Sequence, residues 1–433
     1  MNDKSMQANH PRWIFAKSGL LLLLALLPIF GQTQVLEQLM SSALSSHPSS
    51  RAQALQLESS QAGLEGARWQ FYPTPSVAVE KANSSPTDIA YQGDDTVTTL
   101  RLQQPLWTGG RLTAGVQKAK ANLALNQALL AEVRQQLALR VLQNYGDWLG
   151  AYLKNIANQK SMATHSRLRA QVARRIEMGV SSDSDLVLAV ARIESLASDI
   201  SVTTTQQEIA LARLGQMLGQ PVDANALRAA IAAPYWINSD LQQLIDQTVA
   251  DSPAVMKAQA QAALQESMMA ERRSDFYPEV YLRAELQHGN YAYRNMSDES
   301  RIFIGLSSHF GAGLSSSSGV AAASAQYQAA LAEVETQTRS ISEQVLADHA
   351  LAASSKSRLS ALQVSLRATK DVSESYDRQF LAGRKTWLDV MNAARELAQT
   401  EIQLADIEST QVVVTWRLAI NTQGLAAVTQ GRP

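Results

Sequence analysis

Residues 71–73 read Phe71-Tyr72-Pro73, and the same tripeptide returns as Phe276-Tyr277-Pro278, 205 positions further on. Around it other matches fall in the same order. Gly115-Val116 returns as Gly319-Val320, Ala131-Glu132-Val133 as Ala332-Glu333-Val334, and Gly179 with Asp185 as Gly383 with Asp389. Collinear matches at nearly one offset indicate one unit written twice. Helical periodicity breaks between Gly219 and Asp240, at Gln220-Pro221-Val222-Asp223 and Ala232-Ala233-Pro234-Tyr235-Trp236. The expected division is therefore a first structural repeat at 32–219, an inter-repeat linker at 220–240, a second repeat at 241–424 and a C-terminal tail at 425–433.

Within each repeat the hydrophobic period changes in a fixed sequence. Residues from about Val35 to Trp69, and from about Leu241 to Ser274, are rich in Ala, Leu, Gln and Glu and favour helix. The Phe-Tyr-Pro then ends the helix, because proline forces the residue before it toward extended conformations. Two short stretches of period two follow in each copy: Val77 and Val79, then Leu100, Leu102 and Leu106; Val280, Leu282, Ala284 and Leu286, then Ile302, Ile304 and Leu306. The alternate positions carry Glu80, Arg101, Gln103, Arg283, Glu285 and Arg301, so each hairpin is predicted to have one apolar face and one polar face. The segments Asn83 to Asp95 and His288 to Ser300 suit solvent-exposed loops. After Leu112 a helical pattern runs almost unbroken to Met178, through Leu130, Val133, Leu137, Val141, Tyr145, Trp148 and Tyr152. At ~1.5 Å per residue it would reach ~100 Å. Leu331, Val334, Thr338, Ile341 and Val345, like Leu186, Val190, Ile193, Ala197 and Ile200, repeat at threes and fours as a coiled-coil seam does. The fold class is mixed, mainly α: a duplicated unit of helix, β-hairpin, long helix and returning helix.

Composition narrows the function. The 38 Lys+Arg nearly balance 39 Asp+Glu, which leaves no broad basic surface for nucleic acid. No cysteine is present, which excludes disulfides, thiolate metal sites and an acylated cysteine anchor. The six histidines (His10, His47, His165, His288, His309 and His349) are scattered without a ligand spacing, and no HExxH, GxSxG or P-loop occurs. No metal site, cofactor or enzymatic activity is expected. At the N-terminus His10, Arg12 and Lys17 precede the apolar run Gly19 to Phe30, too short to cross a bilayer. Residues 1–31 therefore read as a secretory signal peptide, with an uncleaved anchor as the alternative.

A hairpin with an apolar outer face can sit in a bilayer only if its edges are paired. Four strands cannot close, since the smallest useful barrels have ~8. Several chains must then contribute, three of them giving twelve strands. A periplasmic coiled-coil scaffold with a small sheet is the competing reading from pattern alone.

The duplicated order of helix, Phe-Tyr-Pro, strand pair, long helix, Gly-x-x-x-x-x-Asp turn and returning helix resembles the TolC family of outer-membrane channel proteins over nearly the whole chain. Leu106-Trp107-Thr108-Gly109-Gly110-Arg111 is similar to that family's exit from strand to helix, whereas the second copy, Phe310-Gly311-Ala312-Gly313-Leu314, lacks the arginine. The resemblance implies a homotrimer in the cell outer membrane, with a 12-stranded β-barrel continuous with a periplasmic α-helical barrel. It also implies a periplasmic adaptor (membrane fusion) protein, an inner-membrane ABC transporter or other pump, and outer-membrane lipid as partners. The absence of cysteine, and the region from Phe71 to Arg111 with Gly93-Asp94-Asp95-Thr96-Val97-Thr98-Thr99-Leu100-Arg101-Leu102, look like the type I secretion branch that exports large surface adhesins. A multidrug or metal efflux conduit is the alternative.

Gly179 and Gly383 can supply the left-handed residue that ends a helix, while the stretch Ser181 to Ser184, with Ser182 in it, and Thr386 offer caps for the next one. By the resemblance these turns form the periplasmic tip, where the adaptor docks and the pore is held shut. Carried over by position, Asp185 matches the acid after the first turn, Phe380 the aromatic before the second glycine, Asp389 an inward-facing aspartate and Lys385 the basic gate residue, with Arg384 as its alternative. Three copies of Asp389 would repel one another, raise their proton affinity and attract cations. Asn392 stands where the family often has a second aspartate, which lowers the charge of the constriction. The plainer reading of Asp185 is a first-turn acid that complements the helix dipole, and of Arg384 and Lys385 solvated charges.

Overall fold

The computed structural model describes residues 36–85, 87–225, 227, 240–308, 312 and 315–429. The expected signal peptide, most of the linker, and the second strand-to-helix joint apart from Ala312 lie outside the described residues. The chain runs α1 (Leu36–Ser46), α2 (Pro48–Trp69), β1 (Thr74–Lys81), β2 (Thr96–Trp107), α3 (Arg111–Glu177) and α4 (Asp183–Leu218). It then repeats that order as α5 (Leu241–Asp251), α6 (Pro253–Ser274), β3 (Glu279–His288), β4 (Glu299–Ser307), α7 (Ser315–Leu381) and α8 (Trp387–Gln423), with a short α9 (Leu425–Thr429).

The leading helix of each repeat is broken once, which the helix-prone composition alone did not signal. His47-Pro48 and Ser252-Pro253 separate α1 from α2 and α5 from α6, again 205 positions apart. Proline is placed at the first helical position in both, where its missing N–H costs nothing. His47 accepts a hydrogen bond from the Ser49 N–H at 3.2 Å. The break lets α1 turn aside into the core.

The two hairpins form one antiparallel sheet in the order β1-β2-β3-β4. Its register aligns Pro75, Leu102, Ala284 and Ile302 in one row, and Val77, Leu100 and Leu286 in the next. The predicted loops are shorter than expected on the second copy, since His288, Glu299 and Ser300 lie in strands. They also fold on one another. Gly93 N–H donates to the Tyr291 carbonyl at 2.6 Å and Asp94 N–H to the Asn290 carbonyl at 2.7 Å. Gly93 is required here, because a Cβ would lie 2.2 Å from the Asn290 oxygen.

α3 and α7 are 67 residues each, free of proline, and set the length of the molecule. Near the sheet α3 packs on α2 and α6; further away it packs on α4 and α8, while α7 packs on α6, α5 and α8. The main core joins α1, α3, α4 and α8 through Leu36, Met40, Val141, Tyr145, Trp148, Leu214 and Ile420. α3 and α8 approach closely because Gly146 faces Val413. The seam expected on α4 is met in part: Leu186 packs against the cluster that holds Leu168 and Val172 of α3, and Ile193 and Ile200 are half-buried. Val190 and Ala197 are exposed, and the face buried toward α3 runs through Ala189, Thr203, Ala210 and Leu214. Small side chains at Ala189 and Ala210 allow close approach, so the bulkier valine turns away from the contact. On α7 only Val345 of the expected seam is fully buried, and Leu331 is exposed.

Candidate functional site

Two regions hold groups that local structure does not consume: the sheet wall and the far helical tip. On one face of the sheet, Val77, Leu100, Leu102, Leu282, Ile302, Ile304 and Leu306 are all solvent-exposed, the two isoleucines at 77 % each. A contiguous apolar face of this kind marks an interface with another apolar phase. The opposite face carries Arg101, Glu285 and Arg301 in one row and Gln103, Arg283 and Phe303 in the next. The Arg101 Nε donates to Glu285 Oε1 at 2.6 Å, and Arg283 Nε lies 3.2 Å from the same oxygen. The Arg283 guanidinium sits 4.6 Å from the Phe303 ring centre, while Arg301 is paired with Glu299. β1 and β4 are the two edges of the sheet, each hydrogen-bonded to a neighbour on one side only.

At the tip both turns use the same backbone device. Gly179 and Gly383 have φ of 73° and 75°. Val180 N–H donates to the Arg175 carbonyl at 2.9 Å and Arg384 N–H to the Gln379 carbonyl at 2.8 Å, the long-range bond of a Schellman motif. Ser182 and Thr386 then cap α4 and α8, each within a capping box. The third member of each box is the acid: Asp185 Oδ2 accepts from Ser182 N–H at 3.3 Å, and Asp389 Oδ2 from Thr386 N–H at 3.0 Å and from its hydroxyl at 2.8 Å. Asp185 and Asp389 therefore have a local structural role whatever else they do.

The Thr386 hydroxyl and N–H, with a smaller contribution from Lys385, hold the Asp389 carboxyl below its ordinary value of 3.8. Within the protomer this opposes the rise that clustered carboxylates would produce. A carboxylate with a depressed pKa stabilises the fold above its unfolded pKa and loses that contribution as the pH falls through the folded value. The α8 cap is therefore expected to stay intact from pH 7 to about 4 and to loosen below that. Hydrogen exchange of residues 384–391 against pH checks this; Thr386→Ala should loosen the turn at all pH values, by about 1 kcal/mol.

The remaining tip residues have the following surroundings within the protomer. Phe380 is 3 % exposed, packed with Leu168, Val172, Trp387, Val390 and Met391 in a core of its own. Lys385 Nζ lies 4.1 Å from the Tyr376 ring centre, whereas Arg384 is exposed. Three residues that sequence reasoning missed connect the two helical hairpins. Arg167 Nη1 on α3 meets Asp377 Oδ2 on α7 at 2.5 Å, and the Arg175 guanidinium lies 4.5 Å from the Phe380 ring centre. Nothing local marks these pairs, because each joins positions more than 200 apart in sequence. No group of His, Asp and Glu able to hold a metal occurs among the described residues.

The chain matches the family model described as outer membrane efflux protein over residues 39–220 and 244–418. It is 24 % identical over 371 residues to the cobalt-zinc-cadmium resistance protein CzcC of Cupriavidus metallidurans, covering 85 % of each chain. It is 22 % identical over 323 residues to the proteases secretion protein PrtF of Dickeya chrysanthemi, covering 73 % of this chain and 70 % of that one. Among solved structures, the outer membrane protein VceC of Vibrio cholerae superposes with a TM-score of 0.79 at 16 % identity, over 90 % of this chain and 96 % of that one.

Proposed function

We propose, from the premise that this chain belongs to the outer membrane efflux protein family, that three copies close their sheets edge to edge, β4 of one against β1 of the next. The observation that carries the reading is the open-edged sheet of four strands whose exposed face is apolar and whose other face is charged. In a bilayer both edges must find partners, and twelve strands in a closed ring satisfy them. Each copy would then contribute its long helices to a periplasmic barrel below, and exposed Leu331, Val364 and Val372 on α7 and Val187 and Val202 on α4 are the surfaces left for the neighbours.

The protein is an outer-membrane channel of the efflux and secretion class. As the exit duct of a tripartite system it would dock an adaptor at the Gly179 and Gly383 turns and draw its energy from an inner-membrane pump. Its cargo is a large protein of the surface-adhesin kind, exported by type I secretion. The likeness to a secretion protein supports that branch, and the more extensive likeness to a metal-resistance protein favours a metal or drug efflux conduit as the second reading. Quantitative proteomics of the cell surface and medium, with and without the gene, beside a metal- and drug-sensitivity panel, separates them. Loss of one very large secreted protein with resistance intact is expected; an unchanged secretome with new sensitivity would move the assignment to efflux.

A further inference from the structure

The Phe-Tyr-Pro repeat does more than end helices. Each copy is preceded by an arginine at one spacing, Arg68-Trp69-Gln70-Phe71-Tyr72-Pro73 and Arg273-Ser274-Asp275-Phe276-Tyr277-Pro278. In the fold each segment lies where its helix, α2 or α6, gives way to the sheet, the two helices packing on α3 and leading into β1 and β3 on either side of β2. Trp69, Phe71, Tyr72, Trp107, Phe276 and Tyr277 are all exposed there, 43–67 % of each. Six large aromatic side chains at one level of a molecule would be costly in water. They are ordered among themselves: the Trp69 and Tyr72 rings lie 5.0 Å apart, and Trp107 and Tyr277 meet edge to face at 6.0 Å. Trp107 pairs in register with Val280, so this aromatic level continues the apolar face of the sheet.

Next to it is a groove of about 410 Å³ between the end of α2 and the start of α3, lined by Arg68, Phe71, Tyr72, Thr113, Val116 and Gln117. Arg68 gives one N–H to Glu65 at 2.6 Å, its side chain remains half exposed, and its other donors face no described carboxylate. Arg273 is exposed and has no ion pair among the described residues; its neighbour Arg272 lies 3.9 Å from Asp275. Amphipathic aromatics gather where a bilayer meets water, and a guanidinium fork matches a phosphate.

We propose that each Arg-x-x-Phe-Tyr-Pro segment is a seat for an anionic phospholipid of the bilayer leaflet facing the helices. The arginine holds the phosphate, and the aromatic pair packs against the glycerol and the first acyl carbons. The proposal rests on the barrel reading above, since only a sheet in a bilayer puts this level at a headgroup layer. A trimer then has six such seats, which fix the height of the barrel in the membrane.

The purified full chain in neutral detergent would be titrated with dihexanoyl phosphatidylglycerol, dihexanoyl phosphatidylcholine and inorganic phosphate, following tryptophan fluorescence. Saturable binding of the phosphatidylglycerol is expected, weakened about tenfold in R68Q/R273Q, largely recovered in R68K/R273K, and weakened also in F71A/F276A. Equal affinity for phosphatidylcholine, equal affinity for inorganic phosphate, or an unchanged R68Q/R273Q titration would overturn it. Trimer migration and single-channel conductance of the same preparations show whether the variants fold. A preparation that conducts ions but binds the lipid without regard to the arginines sinks the seat alone. One that neither inserts nor conducts removes the barrel reading and the seat with it.

Discussion

Leu102→Arg should abolish heat-resistant trimers in the outer membrane, while Thr99→Arg, three residues earlier on the same strand, should leave them in place. Leu102 stands in the row Pro75, Leu102, Ala284 and Ile302 on central strand β2, on the exposed apolar face. A guanidinium held in hydrocarbon near the bilayer midplane costs about 2–4 kcal/mol per copy, and three copies share one barrel. Thr99 faces the other way, in a row with Ala78, Gln287 and Glu299, where an arginine meets acceptors and water. Trimer yield from isolated outer membranes, on gels run with and without heating, measures the contrast. If both variants assemble alike, the apolar face does not lie in lipid, and a water-soluble scaffold becomes the better description.

The second large effect is expected at the tip. Asp377→Ala combined with Arg175→Ala should raise the resting conductance of reconstituted channels by one to two orders of magnitude, and Asp389→Ala should raise it far less. The reason is where each contact leads. Asp377, 17 % exposed, bonds to Arg167, and Arg175 lies on Phe380; both contacts tie α3 to α7 across the two hairpins. Asp389 bonds to Thr386 within its own turn. Arg167 is half exposed, so its pair with Asp377 is screened and contributes about 1 kcal/mol, with a similar amount from the cation–π contact. Since ~1.4 kcal/mol is a factor of ten in population, losing both gives the stated range. A double variant as closed as the parent would place the latch between protomers instead. The reverse ranking, with Asp389→Ala the leakier, would return the constriction to the carboxylate ring.

Much of this architecture was readable from residues. Each tip glycine supplies the positive φ that a Schellman turn requires, and each following Ser or Thr with an acid three residues on spells a capping box; these are local devices with local signatures. Alternation at Leu100, Arg101, Leu102 and Gln103 likewise assigned the two faces of β2 before any partner strand was known. The resemblance to the TolC family agrees with the matching family model and with the superposed channel structures. The helix break at Pro48 and Pro253 was also legible, as a fifth collinear match, but composition masked it.

Other features were not written locally. Val190 fits a helical seam as well as Ala189 does, and only the approach of α3 decides which one is buried. Phe380 stands at a position that the resemblance associates with the gate, and its sequence context does not say that Trp387, Val390 and Met391 close over its ring within the protomer. The Arg167–Asp377 and Arg175–Phe380 contacts have no sequence signal at all.

Residues near one another in the chain specify the duplicated unit, the order of helix and strand within it, the apolar and polar faces of the sheet, and the chemistry of both turns. Each of these depends on residues within a few positions of one another, where backbone sterics and hydrophobic period act directly. Which helix faces meet, how the two loops clasp, which charges link the hairpins, and where the duplicated aromatics and arginines come to lie at the junction of helix and sheet emerge from long-range packing. Those are contacts between distant segments, selected by packing and charge pairing only once the long helices have set the two repeats side by side.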